Sequence, residues 1–345
     1  MKTFAKKNGG PLMEEKIYVG SDKSCKTLTE ALKRIKEKQR NAKKEPNKIY
    51  CLLLSPGLYR EKLSLDLDHV IIKGTGQKPE DTRIVWQDGA EDLDNRGEKL
   101  GTFRTPTLYI DGKALTLENL SIENLAGPGK AVGQAIALAL NVNRALIKNC
   151  VLIGDQDTLF LAPLPEKAIQ KKGFLGSEAW SKREENANIF YRCKIEGGVD
   201  FIFGSGAAYF EECLIKAGRG YVTAASTPPG AAYGFIFHAC RVENRDTIEE
   251  PHYYLGRPWR DHAKTAFLKS YLDKGLYPQG WHDWNKEEAR EMSCYEEWAN
   301  EGPGSQIFER VAWADRLDAM PEAYQLENYI DYFDFPAGQR NALLS

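Results

Sequence analysis

Three short segments carry residue types that could do chemistry together. GDQDTLF (154–160) sets Asp155 and Asp157 around Gln156. VDFIFG (199–204) places Asp200 among Val199, Phe201, Ile202 and Phe203, and YLGRPWR (254–260) carries Arg257, Pro258 and Trp259. Each has a plain explanation when taken singly. Asp155 and Asp157 suit a turn after Gly154, Asp200 suits a buried salt bridge, and Arg257 with Trp259 suits a packed surface corner. An ionised carboxylate in an apolar run is costly unless it is paired or neutralised, so Asp200 calls for a partner. Two carboxylates held close push each other's pKa values apart, leaving one protonated and the other ionised. That is what a nucleophile and a general acid require.

A weak repeat shows how such a pair could be assembled. Cys150-Val-Leu, Cys193-Lys-Ile, Cys213-Leu-Ile and Cys240-Arg-Val share the form C-x-aliphatic, and Leu120-Ser-Ile122 fits the same register without the cysteine. Short strands recurring every 20 to 30 residues suggest a solenoid. In a parallel β-helix neighbouring coils lie about 4.8 Å apart, so equivalent residues form ladders, here a ladder of thiols. Cys150 precedes Asp157 by seven residues, and Cys193 precedes Asp200 by seven. Stacked coils would therefore bring the two aspartates face to face. A buried, reduced stack is the expected state of the cysteines, and a Cys193–Cys213 disulfide is the geometrically allowed alternative.

The other elements fit this frame. KIYCLLL (48–54), HVIIKG (69–74), TLYIDG (107–112), LTLENLSI (115–122), AIALAL (135–140) and RALIKNCVLIG (144–154) read as strands, many apolar on both faces. VDFIFG reads as another buried strand, with Asp200 inside it. Thr27-Leu28-Thr29-Glu30 resembles a capping box, and Leu28, Ala31, Leu32 and Ile35 keep helical spacing, which predicts one helix from Thr27 to about Arg40.

Composition bounds the function. The formal net charge of −2 exerts no general pull on nucleic acid, and the basic run from Lys33 to Lys44 reads as a solvated face. No apolar run reaches the roughly 20 residues of a membrane-spanning helix. The seven cysteines include no CxxC and no cluster with zinc spacing, so no metal or other cofactor is expected. GxSxG is absent, which disfavours a serine hydrolase. The five histidines, His69, His238, His252, His262 and His282, are expected to be structural or exposed.

With these motifs in place, the sequence resembles the pectin methylesterases (pectinesterases), a carbohydrate esterase family whose pattern runs roughly G-x-Q-D-T-L, V-D-F-I-F-G and L-G-R-P-W. The matches are Gly154, Gln156 to Leu159, Val199 to Gly204 and Leu255 to Trp259, with weaker ones spread from about residue 17 to 313. The resemblance implies an all-β, right-handed parallel β-helix forming a single domain over 1–345, with a core at about 17–313 and a tail at 314–345 packed on it. It implies an aspartyl esterase of pectin degradation and cell wall modification, which releases methanol from methylated galacturonate units in pectin or oligogalacturonides. Carried over residue by residue, Asp200 is the nucleophile and Asp157 the acid/base, Gln134 and Gln156 hold the oxyanion, and Arg257 orients Asp200 and lowers its pKa. Trp259 is a groove aromatic that packs on a sugar ring, and Val199, Phe203, Phe160, Thr107 and Trp284 are further groove residues. The substrate is the only partner expected, with no nucleic acid, no membrane and a monomeric state.

The sequence departs from the family in two places. Leu161 to Asn186, containing Pro163, Pro165, Gly173, Gly176 and Trp180, is longer than the family's connection there. It reads as a surface loop, or as a wall of the groove that limits substrate length. VTAASTPPG (222–230) replaces a Gln-Gly-Arg segment common in relatives, so no contacts are carried over to it. The N-terminus MKTFAKKNGGPLMEEKI has no apolar signal core. The expectation is therefore a bacterial cytoplasmic enzyme acting on methylated oligomers, or a secreted one if an export signal has been removed. Alternatives are a deacetylase or thioesterase on the same fold, a glycoside hydrolase or calcium-dependent lyase of similar shape, and a non-catalytic carbohydrate-binding β-helix.

Overall fold

The computed structural model describes residues 13–41, 48–168, 174, 185–306 and 308–344. Among these, the strands form three sheets of eleven, seven and eight members, and every ladder between named strands is parallel. The chain passes from sheet to sheet and advances one strand per turn, giving a right-handed parallel β-helix.

The repeat in the sequence is the coil register. Val151 pairs with Ser121 and Lys194, Lys194 pairs with Leu214, and Leu214 pairs with Arg241. Cys150, Cys193, Cys213 and Cys240 therefore stack, all buried and all free thiols. The Sγ atoms of Cys193, Cys213 and Cys240 donate to Ile147 O, Phe190 O and Phe210 O of the preceding coil, at 3.4, 3.3 and 3.3 Å. Parallel to them, Phe190, Phe210, Phe237 and Phe267 stack at centroid spacings of 4.7, 4.3 and 4.3 Å. Identical residues at one coil position share one shape of cavity, so like stacks on like.

Two predicted strands are each divided in two. LTLENLSI becomes Leu115–Glu118 and Ser121–Asn124, and RALIKNCVLIG becomes Arg144–Lys148 and Val151–Ile153. The breaks fall at Asn119 and Asn149, with φ of 54° and 50°. Later coils turn at the same register through Arg192, Glu212, Ala239, Lys269 and Ala299, all with φ near 50°. One left-handed residue rotates the strand direction sharply, at a cost of roughly 1–2 kcal/mol. The strand in VDFIFG is likewise shorter than the apolar run, covering Ile202–Gly204 only. Asp200 lies in the turn before it.

The helix Leu28–Asn41 lies near the first coil, where buried Leu28, Ala31, Leu32 and Ile35 join the interior core. Thr27 Oγ1 accepts Glu30 N–H, the first half of the predicted box. The second half goes elsewhere: Glu30 Oε2 accepts Lys26 N–H, and Glu61 caps Leu28 N and Thr29 N. Near the C-terminus, helices Leu326–Tyr332 and Ala337–Leu344 cover the outer face of the eleven-stranded sheet.

Candidate active site

The outer face of the seven-stranded sheet supports the site. Leu159–Leu161 pairs with Leu138–Leu140 on one side and Ile202–Gly204 on the other, and Ile202–Gly204 pairs with Thr223–Ala225. Phe160, Phe203 and Ala224 share one register and one outward-facing apolar cluster with Phe103. A cleft of about 270 Å³ opens above this floor, lined by Gln134, Gln156, Asp157, Asp200, Arg257 and Trp259, together with Thr102, Phe103, Phe174, Phe203, Ala224 and Trp284.

Asp157 and Asp200 occupy equivalent turns of consecutive coils. Asp157 N–H donates to Val199 O at 3.0 Å, and Leu159 N–H to Phe201 O at 2.8 Å. Both aspartates have left-handed backbone, with φ of 65° and 50°, a conformation that Asp tolerates better than most side chains. Both are buried, with relative exposures of 8% and 6%. Their partners differ. Arg257 clamps Asp200 through both oxygens, Nε to Oδ1 at 2.8 Å and Nη2 to Oδ2 at 2.6 Å. The guanidinium is itself held between the rings of Tyr221 and Trp284, 3.9 and 3.7 Å from their centroids. Lys286 Nζ secures the adjoining loop by donating to Pro258 O and Trp259 O. The carboxyl group of Asp157 has no hydrogen-bond or ion-pair partner among the described residues.

These surroundings separate the two carboxyl groups. Burial pushes Asp157 well above the usual carboxylate range; Asp200 pushes the same way, and Arg257 opposes. Burial raises Asp200 too, while the hydrogen bonds and charge of Arg257 pull it back, so it is lifted less. Arg257 lowers the Asp200 pKa as expected, but desolvation outweighs it and the net shift is upward. The order still holds: Asp200 ionises first and Asp157 keeps its proton.

Gln134 and Gln156 come from adjacent coils, tied by Ala135 N–H to Gln156 O at 3.0 Å. Both side chains reach the cleft, and among the described residues neither amide is bonded to protein. Neutral amide N–H donors beside a nucleophile can stabilise a developing oxyanion. The arrangement can therefore perform acyl transfer without histidine. His238 bonds Glu211, His252 bonds Glu250 O, and His282 accepts Trp284 N–H; no histidine lines the cleft.

A pectinesterase family model matches residues 16–164 and 181–331 of this chain. Pectinesterase 31 of Arabidopsis thaliana is 30% identical over 270 residues, covering 76% of this chain and 77% of the relative. The pectinesterase of Petunia integrifolia is 30% identical over 301 residues, covering 84% and 70%. The chain belongs to the pectinesterase family. The carrot pectin methylesterase structure superposes with a TM-score of 0.76 at 22% identity, covering 97% of this chain and 98% of that one, so the two share the fold. As a member of the pectinesterase family the chain is a carboxylic ester hydrolase.

Membership overturns the cytoplasmic expectation. The matching pectinesterases are secreted enzymes that act on cell walls, and the composition of the first residues carries no weight against that.

Placement of the anticipated groove residues is mixed. Trp259, Phe203 and Trp284 line the cleft. Three others do not. Thr107 is buried, with its hydroxyl donated to Glu123 O at 3.0 Å. Phe160 belongs to the floor but is fully buried between its neighbours, its ring 5.0 Å from both Phe103 and Phe203. Val199 is half-buried outside the lining. Residues not anticipated are Thr102, Phe103, Ala224 and Phe174. Ala224 was findable from coil register, being one coil beyond Phe203. Phe174 comes from the long connection after Leu161, and its ring lies 5.7 Å from Phe103 and 6.4 Å from Trp259. Gly173, Gly176 and Trp180 of that connection lie outside the described residues.

Proposed function

We propose that this chain hydrolyses methyl esters of galacturonate units, with Asp200 as nucleophile and Asp157 as acid and then base. The observation that carries the reading is the asymmetry of the pair. Among the described residues, one buried aspartate is clamped by a guanidinium, the carboxyl group of its neighbour on the adjacent coil has no partner, and both open on a cleft with two unpartnered amides. Asp200 attacks the ester carbonyl carbon. The carbonyl oxygen takes up the negative charge and accepts hydrogen bonds from the amide N–H groups of Gln134 and Gln156. As the tetrahedral species collapses, the bond to the methoxy oxygen breaks and that oxygen takes the proton of Asp157, releasing methanol. Asp157, now ionised, removes a proton from water. The resulting hydroxide equivalent attacks the sugar-side carbonyl of the acyl-enzyme anhydride. The galacturonate carboxyl group departs, Asp200 regains its charge and Asp157 its proton.

Trp259, Phe103 and Phe174 give the cleft aromatic surfaces suited to the apolar faces of sugar rings. In this reading Phe174 makes the long connection a wall of the cleft.

Methanol and chain length, followed together on methylated pectin and on methylated tri- to hexamers, test the proposal. Methanol release without chain cleavage supports it. New reducing ends would indicate glycoside hydrolysis and unsaturated ends a lyase, and either would overturn it.

A further inference from the structure

Asp155 precedes Gln156, and the reaction above leaves it without a task. Its carboxylate nevertheless joins separate coils. Oδ2 accepts Gly129 N–H at 2.7 Å, and Oδ1 accepts Arg245 Nη1 at 2.8 Å. Its backbone carbonyl accepts Gly198 N–H at 2.7 Å, in the turn that carries Asp200. Arg245 is braced in turn by Asp246 at 3.2 Å, and its N–H donates to Ala217 O at 2.8 Å. The Asp155–Arg245 pair is mostly shielded, each side chain having a relative exposure of 23%, so its charge-assisted bonds are less screened than those of a surface pair.

The contact with Gln156 is direct. A Cβ on Gly129 would lie 2.5 Å from Gln156 Cβ and 2.7 Å from Oε1, and one on Gly198 would lie 2.9 Å from Asp155 Oδ1. The Gln156 side chain therefore rests against the bare backbone of Gly129, and that backbone is held by Asp155. Where Gly129 sits decides where the Gln156 amide points.

We propose that Asp155 and Arg245 form a positioning pair that fixes the side-chain amide of Gln156 in the oxyanion site by anchoring Gly129. The proposal rests on Gln156 being an oxyanion donor. A donor displaced by a fraction of an ångström loses its interaction with the transition state while ground-state binding survives. The effect therefore falls on kcat and spares KM. An ion pair with a purely structural role would lower thermal stability instead.

The test uses Asp155→Asn, Arg245→Gln, Gln156→Ala and the combination Asp155→Asn/Gln156→Ala. For each, kcat and KM for methanol release and the thermal midpoint are measured. Asparagine can keep the acceptor for Gly129 but turns an NH2 group toward Arg245. Removing an oxyanion donor outright costs roughly 10²–10³ in kcat. Misaligning it in Asp155→Asn should cost roughly tenfold, with KM within about twofold. Arg245→Gln, which leaves the Gly129 bond in place, should cost roughly threefold in the same way. In the Gln156→Ala background, Asp155→Asn should have no further effect beyond about twofold. An equal loss in both backgrounds overturns the proposal. So does a loss in Gln156→Ala with none in Asp155→Asn or Arg245→Gln. Unchanged kcat in Gln156→Ala overturns the oxyanion reading itself, and the positioning pair with it.

Discussion

The outer faces of the eleven-stranded and seven-stranded sheets are both rich in apolar side chains, yet among the described residues one is covered by protein and the other opens on a cleft. On the first, Leu146, Ile189, Tyr209, Ile236 and Leu268 are sealed under Tyr329, Phe333, Phe335 and Leu343 of the C-terminal segment. On the second, Phe103, Phe160 and Phe203 form a floor that, among the described residues, Phe174, Trp259 and Trp284 partly overhang. The covered face holds neither aspartate of the candidate pair. The open face holds two buried aspartates, one of them with a carboxyl group that has no partner among the described residues. The covered face recovers its burial energy within the molecule. The open face leaves aromatic surface, amide donors and a protonated carboxyl group for something outside it.

The comparison can be broken or sharpened in four ways. The largest effect belongs to the open face. Asp200→Asn removes the nucleophile and should lower kcat by roughly 10⁴ or more, with little change in thermal midpoint. A retained rate would reassign the nucleophile.

Asp157→Asn should lower kcat by roughly 10²–10⁴, and its pH behaviour separates charge from shape. Activity needs Asp200 ionised and Asp157 protonated, so the parent should give a bell-shaped profile. The acid limb should lie above the ordinary carboxylate value of about 3.9, because burial raises Asp200. Arg257→Met removes the group that pulls Asp200 back and should move that limb further up. The folded protein holds the Asp157 proton longer than the unfolded chain does. That contribution to stability is fully present below the ordinary carboxylate value and is lost as pH rises through the raised value. The thermal midpoint of Asp157→Asn should therefore depend less on pH across that window, as melting curves over a pH series would show.

The covered face should behave in the opposite way. Tyr329 is fully buried against Tyr209 and Tyr233, and its hydroxyl donates to Asn188 O. Tyr329→Ala should cost about 3–5 kcal/mol of stability by denaturant titration, while the folded fraction keeps its kcat. A specific loss of kcat would show that the two faces are coupled.

The smallest effect is expected at the rim of the cleft. Trp259→Ala should raise KM several-fold, corresponding to roughly 1 kcal/mol of ring stacking, with kcat and stability nearly unchanged.

How much was legible in advance depended on whether a residue is fixed by coil register or by side-chain packing between loops. The facing of Asp157 and Asp200 follows from one count, because each stands seven residues after a stacking cysteine. The bends at Asn119 and Asn149 were not legible. Asparagine enters the left-handed region more readily than most residues, but the apolar run on either side of it in LTLENLSI reads as one continuous strand. Thr107 and Phe160 were expected in the groove but are buried: the Thr107 hydroxyl is turned to Glu123 O, and Phe160 faces outward yet is covered by Phe103 and Phe203. Only the fold brings the ring of Phe103 within 6.3 Å of Phe203.

The sequence by itself determined the solenoid, the cysteine register and the alignment of two aspartates, because a repeating coil turns linear spacing into lateral stacking. Spacing alone left open which carboxylate is clamped; the family resemblance assigned Arg257 to Asp200, and the tertiary structure shows the contact that does it. Arg257 stands 57 residues from Asp200, and its guanidinium reaches that aspartate through its place between Tyr221 and Trp284. Spacing along one coil cannot predict packing between side chains from different coils.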